Sequence, residues 1–179
     1  MDDVQITNIL KSLPETACFF NGVFSSNQIP YSFYETKNGF IIVNTIKDSS
    51  ETMGHWLLIT MRNGVLEFSD PLSKNPKEYP KEIADFFSYY PGEKTIVFNS
   101  PVQAEDSLAC GAYAIFISYM SSLGHSVFNI KKNFTSDRKK NDRFVTNFVF
   151  KITGTVKSCN KKFCSSYMFG LDCRSFCAC

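Results

Sequence analysis

The chain has 179 residues, with 19 Lys+Arg against 17 Asp+Glu and a formal net charge of +2. That length suits one domain rather than two, and 44% hydrophobic with 20% charged residues excludes wholesale disorder. Eighteen Phe and eight Tyr supply apolar surface enough for a core without disulfide or metal staples.

Residues 4–13 read as a short amphipathic helix. Val4, Ile6, Ile9, Leu10 and Leu13 fall at mostly helical spacing behind Asp2 and Asp3 as cap candidates, and Pro14 ends the run. Asn21-Gly22 and Pro30 mark loops. Strand signals follow at 40–43, 56–61 and 65–68, the last two separated by Asn63-Gly64, a dipeptide favoured in tight hairpins. Residues 80–90 read as a helix with Ile83, Ala84, Phe86 and Phe87 on its apolar face, and 95–98 as a short β-branched run. From Ser107 to Ile130 there is no Asp, Glu, Lys or Arg. The apolar part, 108–117, is too short for a membrane span of about 20 residues, so 108–123 is predicted as a buried helix. Residues 141–151 carry the stripe Phe144, Val145, Phe148, Val149 of a surface helix, and periodicity is lost after Gly154. This order predicts an α+β fold: a mixed, mostly antiparallel sheet packed on the central buried helix, with flanking helices. Residues 1–151 form the domain and 152–179 a basic, Cys-rich tail.

The small net charge hides an asymmetry. Residues 1–130 carry 8 basic and 14 acidic side chains, a net of −6, and residues 131–179 carry 11 and 3, a net of +8. A basic C-terminal third suits a polyanion partner, and a solvated basic surface accounts for it equally well. Of seven cysteines, Cys18 and Cys110 stand alone, while Cys159, Cys164, Cys173, Cys177 and Cys179 crowd the end. The start Met1-Asp2-Asp3 is acidic where a secretory leader is basic. A reducing compartment is therefore expected, and the tail is not an ordinary disulfide framework. The tail lacks paired CxxC knuckles and a nearby His, so no metal is expected.

Histidine occurs only at 55 and 125. His125 follows Gly124 just past the central helix, where a C-terminal cap or surface loop is its expected role. Cys110 falls in or near the first turn of that helix, with Asp106 or Ser107 as cap, where the macrodipole favours a thiolate. A histidine on a strand supplies the base such a nucleophile needs. That base needs an orienting acceptor. His55 and Asp70 lie eight and six residues from the Asn63-Gly64 turn, so the hairpin brings them together. Glu67 and Glu105 are alternatives, expected to face solvent. Gln103, in the loop entering the helix, could form an oxyanion hole with the Cys110 amide.

These residues, in this order, resemble the adenovirus-type cysteine endopeptidases and, more remotely, the ubiquitin-like-protein proteases of the same clan. The carriers are Gly54-His55-Trp56-Leu57, Phe68-Ser69-Asp70-Pro71, Gln103 and Ser107-Leu108-Ala109-Cys110-Gly111, with support from Ile42-Val43-Asn44-Thr45. The resemblance spans residues 2 to about 151. It departs at Asp70, where adenoviral enzymes have Glu, and in the loops around 72–100. It implies a thiol endopeptidase of papain-like clan fold, with His55, Asp70, Gln103 and Cys110 as catalytic residues and no metal. The implied substrates are viral precursor proteins cut at Gly-containing sites, in the virion and host nucleus, or inside the cell if the source is a virus-like transposon. DNA is a cofactor in that family, which points to Lys131, Lys132, Arg138, Lys139, Lys140 and Arg143. The family's activating peptide adds a strand to the sheet, and Gly154-Thr155-Val156 through Phe163-Cys164 shows a similar order of residue types. Residues 154–164 are thus expected either to be a built-in activating strand, linked through Cys159 or Cys164 to Cys18, or to be a plain basic tail. A modifier-specific protease and a non-enzymatic nucleic-acid-binding protein are the competing readings.

Overall fold

A computed structural model describes residues 1–46 and 54–159. Helix α1 (Asp3–Ser12) opens with the expected cap: the Asp2 carboxylate accepts from Gln5 N–H, and the Gln5 side chain accepts from Asp2 N–H. Its Ile6 and Leu10 are fully buried. Pro14 does not only end α1; it also starts a one-turn helix, α2 (Pro14–Ala17), because proline's fixed φ suits a first helical position.

Strand β1 (Phe20–Ser25) contains the Asn21-Gly22 pair that sequence reading assigned to a loop. Gly22 has φ +132, and the register with the next strand slips between Phe20 and Val23. The pair makes a bulge inside a strand rather than a turn between two. Strands β2 (Asn38–Asn44), β3 (Trp56–Arg62) and β4 (Val65–Ser69) form the antiparallel centre, and β5 (Glu93–Ile96) adds to β4 in parallel. The sheet order is β1-β2-β3-β4-β5, with β1 parallel to β2. Asn63 and Gly64 both have positive φ, 50 and 82, as a two-residue hairpin turn demands.

Both faces of this sheet are covered, which explains why β2 and β3 read as continuous apolar runs. On one face Phe40, Ile42, Trp56 and Leu58 pack with Ile6 and Leu10 of α1, with α4 (Cys110–Ser122), and with Val145 and Val149 of α6 (Arg138–Cys159). On the other, Ile41, Val43, Leu57, Ile59, Leu66 and Phe68 meet Ile83 and Phe86 of α3 (Lys81–Tyr89) and Phe33. Helix α5 (Val127–Lys131) connects α4 to α6. The Leu123-Gly124-His125 segment ends α4 with His125 N–H on Met120 C=O and Gly124 N–H on Ser121 C=O. That double closure, with Gly124 at φ +84, gives His125 a capping role.

The largest departure is at the C-terminal end. Gly154 does not break the helix, and Thr155 and Val156 are not extended: α6 runs through to Cys159. An exposed helical glycine costs only about 1 kcal/mol. The stripe Val145, Phe148, Val149 and Ile152, packed on the core, outweighs that. The proposed activating strand is therefore helical over its first six residues, and its remainder, with Cys164, Cys173, Cys177 and Cys179, lies outside the described residues. Among the described residues no helix is long and apolar enough to cross a membrane, and no group of three or more His, Cys, Asp or Glu side chains could hold a metal ion.

Candidate active site

His55 stands one residue ahead of β3, at the end of the sheet. Its N–H donates to Thr45 Oγ1 at 2.9 Å and its C=O accepts from Thr45 N–H at 3.0 Å, so β2 and β3 stay paired just beyond their regular ends. A Cβ at Gly54 would meet Asn44 Oδ1, so any other residue there requires the Asn44 side chain to move. The β3–β4 register sets Leu58 opposite Ser69. Continued outward, it places His55 and Asp70 as diagonal neighbours on one face, the relation in which longer side chains still touch. His55 Nε2 lies 2.7 Å from Asp70 Oδ1.

Asp70 is held by its own loop. Its C=O accepts from Ser73 N–H, closing a turn with Pro71 at the second position. Its carboxylate accepts from Leu72 N–H at 2.9 Å, Lys74 N–H at 2.7 Å and Tyr79 Oη–H at 2.8 Å, besides His55. Burial alone would raise its pKa, but the His55 hydrogen bond and charge, with the loop amides, outweigh this and hold it below the ordinary carboxylate range. Tyr79 also lies nearly parallel to the His55 ring, with centroids 6.1 Å apart and planes at 11°. It touches both partners, yet sequence reading missed it: it follows a short 3-10 turn at Pro76–Glu78, with no periodicity to single it out.

With Nε2 directed at Asp70, Nδ1 is the nitrogen left for Cys110, whose side chain is hydrogen-bonded to the imidazole. Cys110 is the first residue of α4, and Ala109 at the cap position supplies no side-chain hydrogen bond. The expected capping by Asp106 or Ser107 is thus not observed: Ser107 Oγ accepts from Ala109 N–H, one residue short, and Asp106 pairs with Lys139. No side chain competes for the first-turn amides. The backbone N–H groups of Gly111 and Trp56 are instead directed at the Cys110 sulfur. Gly111 leaves little room in its turn, since a Cβ would lie 3.3 Å from Trp56 Cδ1 and 3.4 Å from Met1 Sδ. The indole N–H of Trp56 donates to Met1 C=O at 3.0 Å, fixing the ring beside the nucleophile.

The two ionisable partners shift in opposite senses. Burial disfavours the imidazolium of His55, but hydrogen bonds and charge from Asp70 and Cys110 outweigh it and raise the group from 6.5 to about 9. Burial likewise opposes the Cys110 thiolate, but the His55 hydrogen bond, the Trp56 and Gly111 amides and the imidazolium charge bring the thiol below its ordinary value. Both shifts favour the thiolate–imidazolium pair over the neutral thiol–imidazole pair.

Gln103 is 2% exposed. Its Nε2 donates to Ser107 C=O at 2.8 Å, and because a carbonyl only accepts, this fixes which end of the amide faces Ser107. The second Nε2 hydrogen is not used by that bond, and Oε1 is buried without a partner. Glu67 proves not to face solvent: it is 9% exposed and lies 3.9 Å from Arg62, opposite Thr60 and well up the sheet from His55. Glu105 is exposed and pairs with Arg138 at 3.4 Å. Lys132, Lys139, Lys140 and Arg143 are exposed and Lys131 and Arg138 half-buried; Arg138 and Lys139 reach Glu105 and Asp106, Lys131 reaches Asn99, and Lys132 lies over the Phe128 ring.

The fold, a five-stranded mixed sheet with the cysteine-bearing helix against one face, is shared with a solved cysteine-protease structure. No protein-family model and no curated protein matches the sequence. Among solved structures, the ASFV pS273R protease superposes with a TM-score of 0.57 at 16% identity, covering 81% of this chain and 65% of that one. ChlaDub1 from Chlamydia trachomatis gives 0.48 at 18% identity, with 69% and 62% covered, and the SUMO protease Ulp1 gives 0.44 at 14%, with 87% and 78% covered. The chain thus spans less than two thirds of the first two proteins, and at these identities the likeness is one of fold.

Proposed function

We propose that this protein is a cysteine peptidase with Cys110 as nucleophile and His55 as general acid–base. The observation that carries the reading is the imidazole held between Asp70 and a sulfur at the uncapped start of α4. In this reading the thiolate attacks the scissile carbonyl carbon. The oxyanion is received by the Cys110 N–H and the spare Gln103 Nε2–H. The His55 imidazolium protonates the leaving amine, releasing the first product and leaving a thioester on Cys110. Neutral His55 then takes a proton from water as it attacks the thioester, and the thiolate leaves. Asp70 keeps the imidazole oriented throughout.

The pH dependence tests the pair directly. The reactive form requires Cys110 deprotonated and His55 protonated. Reactivity should rise at a pH below the ordinary thiol value and fall as His55 loses its proton near pH 9. Alkylation of Cys110 by iodoacetamide, which needs only the thiolate, should follow the rising limb, and kcat/KM for a peptide substrate should show both limbs. An inflection only at an ordinary free-thiol pKa would remove the mechanism.

For substrate, the reading favoured by the His-Trp, Asp-Pro and Cys-Gly motifs and by the fold shared with the ASFV protease is a viral-type precursor protein cut at Gly-containing sites. Profiling with a peptide library and with modifier-conjugated proteins separates this from a modifier-specific protease. A DNA partner rests on Lys131, Lys132, Arg138, Lys139, Lys140 and Arg143, of which Lys132, Lys139, Lys140 and Arg143 are exposed. It predicts activity that rises with added DNA and loses that gain steeply with salt as counterions are released; indifference to DNA would dismiss it.

A further inference from the structure

The loop from Val102 to Ala104 carries Gln103, and almost every backbone polar group of that loop is claimed by a side chain or carbonyl from elsewhere. Val102 N–H and Gln103 N–H both donate to Pro71 C=O, at 2.8 and 3.1 Å. Val102 C=O accepts from Tyr113 Oη–H at 2.8 Å and from Asn141 Nδ2–H at 3.0 Å. Ala104 N–H donates to Asp142 Oδ2 at 3.3 Å, and Asp142 Oδ1 lies 2.9 Å from the same Tyr113 hydroxyl. Asn141 is saturated, giving its second hydrogen to Thr135 C=O and accepting from Thr135 N–H and Oγ1–H.

We infer that Tyr113, Asn141 and Asp142 form a brace, built by α4 and the first turn of α6, that positions Gln103 for oxyanion binding. The inference rests on the peptidase reading and deepens it. Tyr113 is fully buried and Asn141 is 2% exposed, so their polar atoms are committed to this network rather than to water. On the solvent side Arg138 lies 3.4 Å from Glu105 and Lys139 3.7 Å from Asp106, and these acids continue the same loop. The helix that supplies it begins 35 residues after Gln103, and sequence reading valued it only for its apolar stripe and its charge. Hydrogen-bond donors that stabilise an oxyanion act only when held in place before the reaction. A loop of this length, released from its brace, would carry the Gln103 amide away from that position while leaving Cys110, His55 and Asp70 untouched. Tyr113, Asn141 and Asp142 are positioning residues, since none of them meets the reacting atoms.

Tyr113→Phe is the informative variant because it keeps the buried ring and removes only the hydroxyl; Asn141→Ala serves as a second, harsher probe. Hydrogen exchange of the 102–104 amides should quicken in both, whatever the activity. With a peptide ester, kcat should fall about 10-fold, less than the roughly 10²–10³-fold loss when an oxyanion donor is removed outright, while KM and the iodoacetamide alkylation rate of Cys110 stay unchanged. Placed in a Gln103→Ala background, Tyr113→Phe should cost less than about twofold, because the group it positions is already gone. Unchanged exchange, a kcat equal to that of the parent protein, alkylation falling in parallel with kcat, or an undiminished loss in the Gln103→Ala background would each overturn the brace. A parent protein that hydrolyses no peptide or ester would instead overturn the peptidase reading, and the exchange result would still decide whether the loop is braced.

Discussion

Cys110→Ala is expected to abolish peptide hydrolysis, a loss on the order of 10⁶-fold in kcat, the scale seen when the nucleophile is removed from a set of residues that acts as a unit. Nothing else in the site can substitute for it, since Ser107 Oγ is engaged with Ala109 N–H and the sulfur is where two backbone amides and the imidazole converge. The fold should survive, with stability changed by about 1 kcal/mol or less, because one heavy atom is removed and alanine is a good first-turn residue. The loss should also be visible on His55. The imidazole is raised to about 9 in part by Cys110, so its NMR titration in the variant should move down. A variant that still cleaves at the parent rate would refute the nucleophile, and one whose His55 titrates unchanged would refute the pairing.

Gln103→Ala should lower kcat by roughly 10²–10³-fold with little change in KM, the usual result of losing one oxyanion donor. Its stability should hardly change, which is unusual for truncating a buried polar side chain. The parent residue brings one hydrogen bond, to Ser107 C=O, and one buried acceptor, Oε1, with no partner. The gain from the first is about 1 kcal/mol and the penalty of the second is of similar size, so removal of both nearly cancels. A buried polar atom left unmatched is tolerated where the same group does work in the reaction. Urea unfolding alongside steady-state kinetics measures both quantities. A kcat within threefold of the parent would exclude Gln103 from the oxyanion site.

Much of this arrangement was readable in the sequence because its signals are local. The alternation around Asn63-Gly64 specified a hairpin, and hairpin register alone carried His55 to Asp70. The charge-free run after Ser107 specified a buried helix with Cys110 at its start. What escaped was long-range or carried by backbone. Parallel pairing of β1 with β2 leaves no periodic trace, and a Gly-containing bulge looks like a turn. Tyr79 reaches Asp70 from a short 3-10 segment, and the second face of the sheet is covered by aromatic residues drawn from turns as well as from α3. The α6 error has a different origin. Glycine and β-branched residues weigh against helix locally, but the apolar stripe of the preceding turns continues through Ile152 and carries the helix past them.

One carbonyl links the two halves of the chemistry. Pro71 follows the acid that orients the imidazole, and its oxygen takes both Val102 N–H and Gln103 N–H. The thirty residues between, including α3 and β5, form a closed excursion whose ends are pinned together. Lengthening such a loop costs only about 0.6 kcal/mol per doubling, and neither end would shift. Changes confined to its exposed positions, at Pro91-Gly92 for example, leave in place Ile83, Phe86 and Tyr90, which pack on the sheet, and keep the reacting groups in register. The constraint is uneven along the excursion: Leu72, Lys74 and Tyr79 are tied to Asp70, whereas the exposed residues 91–96 are free of the site.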